Sequence, residues 1–259
     1  MPISVSGDDT VQNKNALPTN IRRNPLTDRQ PVQIDSAQDF PDIPVLPETM
    51  LFLDLLVQEP CINLREMSQL VLADLGATLQ ILRLAGREFG HAEGRPVRME
   101  DCISDLGVQE CLEVVSRKML PRDDSQHEIA QLWAHAREIA HHARLIGEEM
   151  SDVNPEEAYL AGLLHIICLL PPLLGWRKTG ANDGLLVGLM LSKRWCLPHC
   201  VTELFSELHP IDYATRFQGI VRKAHENAGQ TTIPCPLGNA VRLSLVDNLY
   251  MPPDPSTIQ

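Results

Sequence analysis

Cysteines and a histidine at close spacing are the first residues of this sequence whose chemistry could matter. Cys196, His199 and Cys200 lie within five positions, and thiolate and imidazole are ligands that Zn²⁺ prefers. Structural zinc sites, however, use a second pair of cysteines or histidines at defined spacing, and no second pair follows here. We therefore interpret Cys196 and Cys200 as structural cysteines. Small apolar core cysteines are expected at three further positions: Cys61, Cys102 and Cys111.

His135 and His165 lie in apolar stretches of the sequence. A histidine beside an apolar stripe is usually a packed side chain with one hydrogen bond, and this interpretation is preferred to metal ligation for both. His141 and His142 lie off the stripe of their helix and are expected in solvent. The sequence has no glycine-rich phosphate loop, nucleophile elbow or paired-carboxylate arrangement, and Asp123-Asp124 is interpreted as helix-start charge. These patterns predict no catalytic residue.

Two predicted helices position these histidines. Ser125 with Glu128 forms a capping box that opens a long amphipathic helix, which runs to about Met150 and carries His135. Asn154 then supplies a cap, followed by a first-turn proline and two first-turn acids. The second helix is therefore predicted to be buried and to end near His165.

The rest of the sequence also has helical periodicity, and no segment predicts a strand as clearly as these segments predict helices. Asn63 with Glu66 marks another capping box. Aromatic residues make up only 4 % of the chain while leucine recurs throughout, so aliphatic helix packing must fill the core. The predicted fold is an all-α, multi-helix globule. Further helices are expected at 48–58, 64–73, 75–85, about 100–119, 183–196, 198–208, 212–227 and 237–249.

Proline placement predicts the domain organisation. Eight of the twenty prolines lie in the first sixty residues, and residues 1–42 follow neither helical nor strand period, so we expect a tail that is disordered or draped over the surface. Residues 43–250 form one helical domain, with subdomains of about 43–121 and 122–250. Residues 251–259 are a C-terminal tail.

The charge balance disfavours two kinds of binding partner, and the cysteines indicate the cellular compartment. The 34 acidic residues outnumber the 22 Lys and Arg, for a net charge of −12, which disfavours nucleic acid and anionic membranes as partners. Seven cysteines, an odd number, and no signal-peptide pattern at the N-terminus predict a reducing cytoplasm. The apolar run Ala158 to Trp176 is interrupted by His165 and by Pro171-Pro172, so it predicts a buried helix and not a membrane span.

Several motifs occur in a shared order that is specific when taken together. They are Ile43-Pro44-Val45-Leu46-Pro47, the leucine-rich helix Leu75 to Ala85, the stretch Arg95 to Gly107, Leu132 to His135, Glu156 to His165, and Trp195 to Pro198. The sequence thereby resembles the HDOD family, the HD-related output domains of bacterial signalling proteins. The resemblance implies an N-terminal helical subdomain packed on an HD-like helical bundle.

The wider HD superfamily implies a metal-dependent phosphohydrolase in which His and Asp side chains hold divalent ions. His135, His165 and His209 are at matching positions, but Ile166 replaces the motif's aspartate. Two more expected ligands are replaced by Gly184 and His225. Without bridging carboxylates, scattered imidazoles could bind at most one soft ion. We therefore expect no catalytic residue, no cofactor and no stoichiometric metal.

The function implied by the resemblance is a non-catalytic bacterial signalling module that binds a signalling protein in trans in the cytoplasm. A metal-dependent phosphohydrolase with a depleted HD site is the first alternative. A nucleotide or metabolite sensor is the second, because the vacated pocket could hold a small molecule. The candidate pocket residues are His135, His165, His209 and His225.

Overall fold

The computed structural model describes residues 43–90, 97–116, 125–174, 184–206 and 215–229. Within these ranges all regular secondary structure is helical, which confirms the predicted all-α class. The predicted tails and the predicted helix 237–249 lie outside the described residues, as does His209. The α-helices are α1 Pro47–Leu56, α2 Leu64–Leu72, α3 Leu75–Phe89, α4 Met99–Leu106, α5 Val108–Ser116, α6 Ser125–Glu148, α7 Pro155–Leu164, α8 Leu170–Leu173, α9 Gly184–Arg194, α10 His199–Leu204 and α11 Arg216–Ala228.

Two of the predicted helix starts are capped as the sequence indicates. The side-chain oxygen of Asn63 accepts hydrogen bonds from the backbone N–H groups of Arg65 at 3.1 Å and Glu66 at 3.4 Å. The side-chain oxygen of Asn154 accepts one from the N–H of Glu156 at 2.8 Å. Because the first N–H groups of a helix have no partner inside it, these side chains set where α2 and α7 begin.

The single helix predicted for about 100–119 is wrong. The chain forms α4 and α5 instead, and Gly107 between them has a φ of 89°. That left-handed backbone conformation is open to glycine at little cost and ends a right-handed helix.

Asp74 joins the N-terminal helices to α6. It caps α3 by accepting from the N–H groups of Gly76 at 2.8 Å and Ala77 at 3.1 Å. From outside α3 it accepts hydrogen bonds from the indole N–H of Trp133 at 3.0 Å and the N–H of Leu46 at 2.8 Å, and it also forms a hydrogen bond with the Thr49 side chain of α1. Burial raises the pKa of the Asp74 carboxyl, and these hydrogen bonds oppose that rise. One buried side chain thus fastens the segment ahead of α1, the start of α3 and the middle of α6.

Helix α3 lies at the centre of the N-terminal helices. Most of its residues are buried, and Leu82 is fully buried, as its broad apolar stripe predicts. Helices α4 and α5 pack on it. Two further hydrogen bonds tie α2 and α4 to α7: the Tyr159 hydroxyl donates to the Leu72 carbonyl at 3.0 Å, and the Met99 N–H to Glu156 at 3.0 Å.

Helices α6, α7 and α11 pack against one another and form the part of the bundle that carries the histidines. At Gly162, α7 comes so close to α6 that an added Cβ would lie 2.6 Å from the Ala140 Cα and 2.9 Å from the Ala143 Cβ. Glycine is therefore required for this crossing. Small residues here bring the end of α7, and with it His165, against α6.

The apolar run from Ala158 onward is divided into α7, a 3₁₀ turn at Ile167–Leu169 and the short α8. In the ranges that the structure describes, no helix is both long and apolar enough to cross a bilayer.

Candidate functional site

Three histidines from three helices meet inside the bundle. His135 lies in the middle of α6, His165 directly follows the last residue of α7, and His225 lies in the last turn of α11. The ring centroids of His135 lie 5.3 Å from those of both His165 and His225, and the His165 and His225 centroids are 4.8 Å apart. We call these three residues the histidine cluster. The structure therefore unites three of the four predicted pocket residues.

The histidine cluster is shielded from solvent. The exposed fractions are 5 % for His135, 0 % for His165 and 7 % for His225. The Nε2 atom of each is buried and has no hydrogen-bond partner among the described residues. Leaving a buried polar atom unsatisfied costs about 1–3 kcal/mol, so three such atoms in one place need an explanation.

A hydrogen bond fixes the tautomer of His165. Its Nδ1 lies 2.5 Å from the carbonyl oxygen of Gly162, one turn earlier in α7. A carbonyl oxygen only accepts, so Nδ1 carries the hydrogen and donates it. In the neutral ring, Nε2 then keeps a free lone pair, and that lone pair belongs to the atom that lacks a partner.

Burial keeps these imidazoles neutral. It lowers the pKa of His135 to about 4 and, together with the neighbouring His135 ring, lowers the pKa of His225 to about 4. The pKa of His165 is held well below its ordinary value by burial and by the His225 and His135 rings. At neutral pH the cluster therefore presents nitrogen lone pairs and carries no charge of its own.

Within the described residues, the cluster contains no carboxylate. Ile166 occupies the position after His165 and is fully buried, and Gly184 begins α9. Imidazole nitrogen alone suits ions such as zinc, copper or nickel, whereas magnesium, calcium and manganese prefer carboxylate and carbonyl oxygen. The set of donors thus differs from what a two-ion phosphohydrolase requires.

The Cys196, His199 and Cys200 segment does not form a comparable group. Cys196 and His199 are exposed, whereas Cys200 is buried. The His199 ring pairs with Glu203 at 3.5 Å, one turn further along α10. Among the described residues these three side chains do not form a metal-binding group. Cys200 is buried as a structural cysteine should be, whereas the exposed Cys196 does not fit that interpretation.

The other cysteines divide into two kinds. Cys102 and Cys111 are buried as predicted, and burial raises the pKa of each thiol to about 12. The prediction that Cys61 is a core residue is wrong, because Cys61 is exposed in the connection between α1 and α2. Its neighbours Pro60 and Ile62 are exposed as well.

The sequence placed His225 among the candidate pocket residues as the residue that replaces an aspartate, but it did not predict that its ring contacts those of His135 and His165. The burial of His225 follows from its position in the last turn of a helix whose apolar face includes Phe217, Ile220 and Ala224. His225 follows that face inward. Of the two histidines expected in solvent, His141 is exposed and His142 is half-buried.

The chain is similar to solved structures of one response regulator and of one HDOD domain protein. Two structures of the MmoQ response regulator from Methylococcus capsulatus str. Bath match at 20 % identity. One covers 73 % of this chain and 88 % of its own, with a TM-score of 0.54. The other covers 82 % and 93 %, with a TM-score of 0.49. An HDOD domain protein of unknown function from Geobacter sulfurreducens matches at 20 % identity over 81 % and 84 %, with a TM-score of 0.30.

A search of curated proteins found no match. The HDOD domain matches residues 43–174, which is half of the chain and includes α1 to α8. With the all-helical fold and the expected order of motifs in place, the chain belongs to the HDOD domain family.

Proposed function

We propose that this protein is a non-catalytic bacterial signalling module that binds a partner protein in the cytoplasm through the exposed face of α1. The domain family and the similarity in fold to a response regulator favour a signalling role. The observation that carries the proposal is an apolar surface on α1 that the rest of the described chain leaves uncovered.

Helix α1 has apolar side chains on two faces. Met50, Leu53 and Leu56 are buried in the core, whereas Leu51, Phe52 and Leu55 are exposed by 58 %, 52 % and 52 %. Positions 51, 52 and 55 share one side of a helix because residues three and four apart are neighbours. We call these three exposed residues the α1 apolar face. Adjoining exposed apolar side chains of this size are typical of protein-binding surfaces.

The surroundings of this face indicate the chemistry of its partner. Glu48, Asp54 and Glu59 are exposed around it, and residues 43–64 contain no Lys or Arg. An acidic rim around an apolar centre fits a partner whose apolar side chains are flanked by Lys or Arg. The chain's net charge of −12 favours the same partner by long-range attraction.

The histidine cluster supports the non-catalytic part of the proposal. Its nitrogen atoms are buried, and its rings are about 5 Å apart, so the space between them fits an ion or a water molecule and no phosphate ester or nucleotide. Hydrolysis of a phosphate ester by two metal ions also needs bridging carboxylates, which the described cluster lacks.

The binding claim is tested by comparing matched surface variants. A partner is first captured from the native cell and identified, and its affinity is then measured with purified proteins. Phe52→Ser should weaken binding at least about tenfold, because a central aromatic anchor is lost. The control Phe89→Ser removes an equally exposed phenylalanine, 59 % against 52 %, from the end of α3 and should leave the affinity unchanged.

Two results would contradict the binding proposal: equal loss in both variants, or no loss in either. Affinity should also fall as salt rises if the acidic rim contributes. The non-catalytic part is tested separately with cyclic dinucleotides and generic phosphate esters in the presence of Mn²⁺. Turnover that disappears in His135→Ala would support the phosphohydrolase alternative.

A further inference from the structure

Three buried nitrogen atoms converge on one point in the bundle. One ligand atom from each of His135, His165 and His225 lies within 4.8 Å of the others. The Nε2 atoms of all three lack a hydrogen-bond partner among the described residues. The three rings come from three different helices, so their convergence is produced by the fold and not by local spacing.

We propose that the histidine cluster binds a single divalent transition-metal ion of the zinc or cobalt class through the Nε2 atoms of His135, His165 and His225. This inference goes beyond the proposed signalling function and does not rest on it. It replaces the expectation from the sequence that the protein contains no stoichiometric metal. That expectation assumed that the imidazoles are scattered and that the metal site would have to hold two ions.

The hydrogen bond of His165 is the arrangement that orients a metal-binding histidine. Metal-ligating imidazoles commonly donate their second ring N–H to a carbonyl or carboxylate, which fixes the tautomer and the direction of the free nitrogen. The His165 Nδ1 makes this contact with the Gly162 carbonyl. Gly162 is also the residue that brings α7 against α6, so the same local geometry positions the backbone and the ring.

The separation of the nitrogen atoms is compatible with one ion. Nitrogen atoms bound to a tetrahedral zinc ion at about 2.0–2.1 Å lie about 3.3 Å apart. The ligand atoms of the cluster lie within 4.8 Å of one another, so closing on an ion requires movements of about 1.5 Å or less. Rotations of the imidazole rings can supply most of this change without a rearrangement of the helices.

The donor set selects the class of ion. Three neutral imidazoles suit zinc, cobalt, nickel or copper, whereas magnesium and calcium require oxygen ligands. In the described ranges no Asp, Glu or Cys joins the group. Three protein ligands leave one position of a tetrahedral ion to a water molecule. The ion would join α6, the end of α7 and α11.

A buried water molecule is the competing explanation for the three unpartnered nitrogen atoms. It could donate hydrogen bonds to two of them and would leave no metal in the purified protein. The experiment must therefore detect the ion itself and show that all three helices supply its ligands.

The full chain is stripped with a chelator, desalted and titrated with Zn²⁺ in a calorimeter, and with Co²⁺ in a spectrophotometer. We expect one ion per chain, a rise in Tm, and the intense visible bands of four-coordinate Co²⁺. His225→Leu removes one ligand and keeps the site apolar, and we expect the affinity to fall by about 100-fold or more, since loss of a second-shell contact alone costs about 10–100-fold. The control His141→Leu changes an exposed histidine on α6 and should bind as the wild type does.

Folding of both variants is checked by circular dichroism. If His225→Leu does not fold, the Co²⁺ spectrum of the wild-type protein decides, because imidazole-bound four-coordinate Co²⁺ differs from six-coordinate surface-bound Co²⁺. A folded wild-type protein that binds neither ion would overturn the inference and leave water as the occupant. Equal affinity in wild type and folded His225→Leu would overturn it as well, because the ion would then lie elsewhere.

Discussion

The imidazole ring of His165 meets that of His225 edge to face, with the centroids 4.8 Å apart and the planes inclined by 81°. One ring follows the end of α7 and the other lies in the last turn of α11. Because both rings are buried and neither Nε2 has a partner among the described residues, this contact holds two polar groups in an otherwise apolar interior. The stability of the folded protein must therefore depend on whether the His165 and His225 rings remain neutral.

The metal-free protein should lose stability as the pH falls below about 6.5. In the unfolded chain histidine gains a proton near pH 6.5, whereas the folded protein holds the pKa of His135 and His225 at about 4. The unfolded state then binds more protons between these values, so stability is present above pH 6.5 and is lost as the pH falls towards 4. At pH 5.5 the loss is on the order of 1 kcal/mol for each histidine.

Urea titrations at pH 7.5 and 5.5 in the presence of a chelator measure this change. His225→Leu should show a smaller difference between the two pH values than the wild type, because one of the titrating groups is gone. Equal unfolding free energies for the wild type at both pH values would show that the cluster does not stay neutral in the folded state.

Leu82→Ala should destabilise the protein by about 2–5 kcal/mol, because the side chain is fully buried in the centre of α3 and its loss leaves a cavity. The control Leu145→Ala, at a residue of α6 that is 44 % exposed, should cost under about 1 kcal/mol. Urea unfolding followed by circular dichroism compares the two. If Leu82→Ala lowers the free energy of unfolding by less than about 1 kcal/mol, α3 does not lie at the centre of the packing.

Gly162→Ala should cost more than about 2 kcal/mol, since the new methyl group would overlap the Ala140 backbone and the Ala143 side chain. Gly219→Ala is the matched control on α11, where an added Cβ meets no atom within 4 Å. There the change should be neutral or stabilising by up to about 1 kcal/mol. Thermal unfolding compares the two variants. Equal melting temperatures for Gly162→Ala and Gly219→Ala would contradict the close crossing of α6 and α7.

Asp74→Ala should destabilise the protein by about 3 kcal/mol or more, because four N–H groups lose their acceptor in a buried place. Asn63→Ala removes an exposed cap of α2 and should cost only about 1 kcal/mol. Chemical denaturation compares the free energies of unfolding of the two variants. If both substitutions cost the same, the contacts of Asp74 outside α3 contribute nothing to stability.

Ile166→Asp restores the aspartate type at the position beside His165, and we expect a less stable protein without phosphatase activity. The new carboxylate would be fully buried at a site where Ile166 now packs among apolar residues. The control Ile166→Val keeps the site apolar and should cost about 0.5–1.5 kcal/mol. Hydrolysis of phosphate esters by the Ile166→Asp variant in Mn²⁺ would contradict this prediction.

The sequence predicted features that depend on a few neighbouring residues and missed those that depend on how helices cross. The caps at Asn63 and Asn154 are local chemistry, so the starts of α2 and α7 could be predicted. The break at Gly107 was missed because the apolar pattern continues through it, and only the backbone shows the positive φ.

The histidine cluster illustrates the same limit. His135 and His165 could be assigned to neighbouring helices, but their contact with His225 requires the packing of α11 on both. Cys61 was placed in the core by residue type alone, although the turn that carries it lies at the surface. Residue type thus predicted burial less well than helical position did.

The hydrogen bonds that Asp74 accepts from N–H groups also determine how the protein opens. Its acceptor oxygens hold the amide hydrogens of Leu46, Gly76 and Ala77 and the indole hydrogen of Trp133. A local fluctuation that frees one of these donors must expose a carboxylate on which the others depend. These hydrogens should therefore exchange with deuterium at a common slow rate set by unfolding of the entire unit, and the helices before residue 90 should not open separately from α6.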